Sequence, residues 1–211
     1  MKTNKLIFNN IIKKTILMKV LNIIAHPNKK SFNFAIHNTV KEWCSEKKVE
    51  YKFIDLYLDK FNPVITNNES TFGKELINEY RRKIAWADVI VITSPVWWFR
   101  LTTPLEGFFD KVFTPGFAYK FKQITNTIGY PSPLLKGKKV ITFLTHGAPA
   151  LPVRTIYANC VKLRLLLGVY SFCFGWFRSS IYQFWSVPYV SDNKRKSYLE
   201  KVKRVLAKKI S

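Results

Sequence analysis

Within the eight residues from His26 to Asn33 the chain sets an imidazole, a hydroxyl and a carboxamide, with Lys29 and Lys30 between them. This stretch, His-Pro-Asn-Lys-Lys-Ser-Phe-Asn, has neither the G-x-G-x-x-G of a dinucleotide fold nor the Lys-Ser/Thr ending of a P-loop, which argues against a nucleoside triphosphatase. What it offers is a helix start. Ser31 and Asn33 bring hydroxyl, amide and backbone N–H donors to the positive end of a helix dipole, a place that suits a phosphate monoester or diphosphate. Ser31 acting only as an N-cap explains the same residue equally well.

Two further stretches carry chemistry. In Pro95-Val-Trp-Trp-Phe99, Trp97 and Trp98 cannot both face a core, since neighbours in an extended chain point to opposite sides. Such a loop suits a planar, partly apolar ligand whose faces stack on rings and whose edges meet backbone amides; a subunit contact is the other reading. Thr145-His-Gly-Ala-Pro149 offers a hydroxyl, an imidazole and the N–H groups of Gly147 and Ala148. His26 and His146 are lone loop histidines, for which a structural role competes with a chemical one. The rings of Phe117-Ala-Tyr-Lys-Phe121 either roof a flat ligand or pin their loop to the body.

Each polar loop follows an apolar run. Residues 19–25, 88–94 and 138–145 are short and nearly continuously apolar, as strands buried on both faces read. Phe32, Ala35, Ile36, Val40 and Trp43 recur at helical spacing over 32–47, and 49–55 alternate, which gives a β-loop-α-β unit of the length a parallel crossover needs. A connector is expected over 56–71 and helices over 71–86 and 103–112, the latter with Pro104 in its first turn. A long loop without period is expected over 113–136, a helix over 154–167, a strand within 176–187 and an amphipathic helix over 191–208. Alternating strands and helices define an α/β class with a parallel sheet, whose ligands bind beyond the carboxyl ends of the strands, where the three polar loops lie.

A length of 211 residues, with 47% hydrophobic residues against 23% charged, gives enough apolar material for one core, so a single domain is expected over 18–211. Residues 1–17, with Lys2, Lys5, Lys13 and Lys14, read as a flexible leader, and Met18 as an alternative start. No run approaches 18 uninterrupted apolar residues, so the chain is expected to be soluble or peripheral to a membrane. The formal charge of +22, from 35 Lys+Arg against 13 Asp+Glu, attracts phosphates, nucleic acids and anionic lipid without choosing among them. No basic recognition helix or RNA-binding motif accompanies it, so nucleic acid is not expected as a partner. Cys44, Cys160 and Cys173 form no C-x-x-C pair and are odd in number, which suggests neither disulfides nor a metal site and fits the cytoplasm.

Taken in order, Ala25-His-Pro-x-x-x-Ser-Phe-Asn33, Pro95-x-Trp-Trp-Phe99, Thr103-Pro-Leu-Glu-Gly-Phe-Phe-Asp-Lys-Val-Phe113 and Gly116-Phe-Ala-Tyr119 carry a resemblance. From about residue 19 onward the chain resembles the flavodoxin-like NAD(P)H dehydrogenases (quinone), the family of DT-diaphorase, the modulators of drug activity and the ancillary proteins of potassium-efflux systems. The resemblance implies a three-layer sandwich around a five-stranded parallel sheet of order 2-1-3-4-5, FAD or FMN as cofactor, NAD(P)H as hydride donor, a quinone-like acceptor and a homodimer. It implies that His26, Ser31, Phe32 and Asn33 hold the flavin phosphate region. Pro95, Val96, Trp97, Trp98 and Phe99 would edge the ring, and Thr145, His146, Gly147 and Ala148 would reach its pyrimidine side. Tyr119 and Phe121 would wall the acceptor pocket, with His146 and Tyr119 as the catalytic candidates. The third loop reads Thr-His-Gly-Ala where the best-known members carry a Gly-Gly pair followed by a Tyr and a His. A non-catalytic regulator of a transporter, docking through residues 170–189, is the alternative that the resemblance leaves open.

Overall fold

The computed structural model describes residues 18–210, so the expected leader and the question of a start at Met18 fall on or beside residues outside it. Strands β1 (Lys19–Ile24), β2 (Glu50–Asp55), β3 (Val89–Pro95), β6 (Lys139–Thr145) and β7 (Ser179–Phe184) form one parallel sheet in the order β2-β1-β3-β6-β7. The order written 2-1-3-4-5 for a five-stranded chain takes this form because two further strands lie between β3 and β6.

Alternation along the central strands sorts their side chains onto two faces. Val89 and Val91 join Ile36, Val40 and Trp43 of α1 (Phe32–Glu46) and Val202, Val205 and Leu206 of α7 (Asp192–Ile210). Ile90 and Ile92 point the other way, to Tyr80 and Ile84 of α2 (Thr71–Trp86), Leu105 and Phe108 of α3 (Thr103–Val112) and the helical stretch beyond residue 160. Each such side chain, once buried, contributes about 1.5–3 kcal/mol, which fixes the register of the strands and so the position of the loops at their ends. Ser70 caps α2, its Oγ accepting from Gly73 N–H at 3.0 Å, and Pro104 stands in the first turn of α3. No described helix is long and apolar enough to cross a membrane.

Three expectations need correction. The long loop over 113–136 contains an antiparallel hairpin, β4 (Tyr119–Gln123) with β5 (Gly129–Pro133). Pro131 and Pro133 obscure it in the sequence, yet both strands of a two-stranded ribbon are edges, where a missing N–H is tolerated. The helix expected over 154–167 is instead α4 (Ala150–Arg154), then α5 (Cys160–Leu163), a π-helical stretch (Arg164–Tyr170) and α6 (Ser171–Phe174). Ala158 and Asn159 have φ of 48° and 50°, left-handed values that break the run. The supposed docking segment 170–189 is in part core, since Tyr170, Phe174 and Phe184 are fully buried.

Candidate functional site

The carboxyl ends of β1, β3 and β6 and the chain beyond β7 enclose a cleft of about 470 Å³. His26, Ser31, Phe32, Asn33, Pro95, Val96, Trp97, Trp98, Thr145, His146, Gly147 and Ala148 all line it, together with Val187 and Pro188, which the sequence reading missed. Phe99 and Tyr119 do not. Phe99 turns away to pack on Tyr157, the two rings tilted by 32° with centroids 4.2 Å apart. The Tyr119 ring packs on the core and meets Phe121 edge-on at 5.5 Å.

In the first loop the side chains build the cradle and the backbone is left to bind. Ser31 Oγ accepts from Phe34 N–H at 3.4 Å, an N-cap. Asn33 Nδ2 donates to Thr145 Oγ1 at 3.0 Å, and the Thr145 hydroxyl returns a bond to Asn33 Oδ1 at 3.1 Å, which locks the first loop to the third. The N–H groups of Phe32 and Asn33 have no acceptor among the described residues, so the positive end of α1 presents two open donors. His26 Nδ1 lies 3.0 Å from Asn28 N–H, and its ring meets Trp97 edge-on at 5.8 Å. Burial lowers the His26 pKa, partly offset by the Asn28 backbone, so the ring is neutral at physiological pH.

The second loop is a tight turn. Trp97 and Arg100 exchange both backbone hydrogen bonds, each at 2.9 Å, and the two residues between them, Trp98 and Phe99, have φ of 50° and 56°. Positive φ at both central positions is the mark of a type I′ turn, normally filled by Asn and Gly. Left-handed backbone costs a residue with a Cβ about 1–2 kcal/mol. That strain lifts Trp98, 90% exposed, over the mouth of the cleft.

His146 is 4% exposed and held from every side. Its N–H donates to Phe184 O at 2.8 Å and its carbonyl accepts from Val187 N–H at 2.9 Å. The ring stacks on Trp185 at 4.2 Å, and the Arg154 guanidinium covers that indole from 5.3 Å. Nε2 lies 3.0 Å from Gln183 Nε2, and the Gln183 amide is oriented by two 2.9 Å bonds with Asn159. Gln183 turns its NH₂ toward His146, which makes Nε2 the acceptor and leaves the imidazole proton on Nδ1. Burial pushes the His146 pKa down to about 4. Next to it, a Cβ added at Gly147 would meet nothing within 4 Å. Gln183, Asn159 and Trp185 went unnoticed in the sequence; a glutamine one residue before a strand's carboxyl end was the available signal.

A crossover sheet with its ligand cleft at the carboxyl edge, an open helix start below it and no P-loop is a flavodoxin-type arrangement. Residues 18–204 match the family model for the flavodoxin-like fold, and the chain belongs to that family. A Haemophilus influenzae protein named as an uncharacterized NAD(P)H oxidoreductase is 30% identical, covering 87% of this chain and 91% of that relative. NAD(P)H dehydrogenase (quinone) 1 of Cavia porcellus is 28% identical over 74% of this chain, which spans only 65% of that longer relative. The FMN-dependent NADH-azoreductase of Bacillus anthracis, solved in complex with FMN, superposes with a TM-score of 0.72 at 17% identity, covering 90% of this chain and 98% of that one; at that identity the likeness speaks for the fold alone.

Proposed function

We propose that the protein is a flavin-dependent NAD(P)H oxidoreductase that reduces a quinone or similar small acceptor by hydride transfer, as a homodimer in the cytoplasm. The observation that carries this reading is the convergence on one cleft of an open helix start, an exposed indole wall and an unsubstituted glycine loop. That donor set fits FMN or FAD: open N–H groups for phosphate, rings for a flat heterocycle, amides for its polar rim. The names of the relatives support the donor and the acceptor class. The three free cysteines suit a reducing compartment.

When bound, the flavin supplies the two-electron hydride chemistry. The N–H groups of Phe32 and Asn33 would hold its phosphate, and Trp97 and Trp98 would bound its ring. Gly147 and Ala148 would offer backbone N–H groups to its polar rim, with neutral His146 beside them as a further donor to negative charge. A pKa of about 4 makes His146 a hydrogen-bond donor rather than a proton source at neutral pH. Tyr119, away from the cleft of its own chain, reaches an acceptor only across a dimer.

The test is reconstitution of the purified protein with FMN and with FAD, gel filtration to remove free flavin, and a visible spectrum. A retained flavin band, followed by oxidation of NADH or NADPH coupled to reduction of a small quinone, is expected. Protein that stays colourless with both flavins overturns the reading.

A further inference from the structure

At the opposite, amino edge of the sheet a shallow hollow of about 190 Å³ lies between the starts of β6 and β7 and the end of α7. Lys139, Arg178, Lys208 and Lys209 line it without any carboxylate. Among the described residues none of these cations is in an ion pair. Lys139 Nζ donates to Lys209 O at 3.0 Å, fixing the end of α7 to the sheet, while Arg178 and Lys208 project into solvent. On the rim stands Phe177, 100% exposed, with Trp176 beside it at 56%. Phe177 has φ of 65°, so its backbone is left-handed and its ring is wet. Both features cost stability, and neither serves the cleft.

We propose that this edge docks on an anionic phospholipid bilayer, Phe177 and Trp176 entering the headgroup boundary while Arg178, Lys208 and Lys209 meet the lipid phosphates. Aromatic side chains favour that boundary, and clustered cations are drawn to anionic leaflets. Single-stranded nucleic acid asks instead for a series of ring faces along a basic groove, and this lining holds one ring. The chain enters β1 at Lys19, on the same edge, preceded in sequence by Lys2, Lys5, Lys13 and Lys14. Docked this way, the protein keeps its cleft turned toward the aqueous side. The proposal is independent of the oxidoreductase reading.

Co-sedimentation of the full-length protein with vesicles of phosphatidylcholine and phosphatidylglycerol, and with vesicles of phosphatidylcholine alone, tests it without flavin. Binding to the mixed vesicles that weakens as salt rises is expected. Arg178→Gln, Lys208→Gln and Lys209→Gln should each lower affinity about fivefold. Phe177→Ala with Trp176→Ala should remove the binding that persists at raised salt. The blue shift of tryptophan fluorescence on adding mixed vesicles should shrink in Trp176→Phe. No sedimentation with mixed vesicles, or undiminished sedimentation of the triple glutamine variant, overturns the proposal. Tighter binding of oligothymidylate through these same residues also overturns it and assigns the edge to nucleic acid.

Discussion

At His146 burial holds the ring neutral, while Gln183, itself oriented by Asn159, sets which ring nitrogen carries the proton. His37 is a second buried imidazole: desolvation, opposed by Asp55 and assisted by Lys41, brings its pKa to about 4, and its Nδ1 has no partner. Folded pKa values below the unfolded 6.5 mean that the unfolded chain binds more protons between about 6.5 and 4. Stability from both histidines is therefore complete above pH 6.5 and lost as pH falls through that window, each contributing up to about 1.4 kcal/mol per pH unit. Urea midpoints measured from pH 7 to pH 4.5 should fall, and His37→Gln or His146→Gln should flatten the decline; parallel curves for wild type and variants would refute the assignment. Gln183→Glu offers the converse, since a carboxylate beside Nε2 stabilises imidazolium. It should raise the His146 pKa above that of the wild type in an NMR titration.

Strands and helices with a clear period were readable almost to the residue, as α2 and α3 illustrate, because burial on one face enforces the period. Elements whose form depends on partners were not. The β4-β5 hairpin leans on the body through Leu135 N–H to Cys173 O at 3.0 Å, a bond that no local pattern announces. The turn at Trp98 and Phe99 is the sharpest case, since a type I′ turn normally declares itself by Asn-Gly and here carries two large rings in left-handed backbone. Strain of this kind collects where a ligand site needs it. Replacing the pair by Trp98→Asn with Phe99→Gly should relieve about 1–2 kcal/mol per residue, less the packing of Phe99 on Tyr157. The melting temperature of the apo variant should rise by several degrees while flavin retention falls. A variant that binds flavin as well as wild type would show that the rings serve something else.

The α/β class, the parallel sheet and the three convergent loops followed from apolar runs ending in polar loops, because a buried parallel sheet leaves only its strand ends free for chemistry. What a second copy adds lies beyond one chain's pattern. Leu151 and Ile156 stand exposed beside Tyr157, and Phe121 is exposed on the hairpin; an apolar surface of this kind suits the roughly 800 Å² per partner that a stable dimer buries. If Tyr119 works on the cleft of the partner, two different lesions should complement each other. Gly147→Val keeps the fold, since a Cβ there meets no atom within 4 Å, yet fills the cleft. Tyr119→Ala keeps its own cleft, which Tyr119 does not line, and removes the ring that would be lent across along with its packing on the core. Each variant alone should lose most quinone reduction, whereas subunits mixed and exchanged should regain part of it, because one of the two sites in a hybrid dimer then has both an open cleft and an intact tyrosine. Recovery absent despite proven subunit exchange would confine each site to a single chain. A wild-type sedimentation velocity profile showing only monomer at micromolar concentration would remove the shared site altogether.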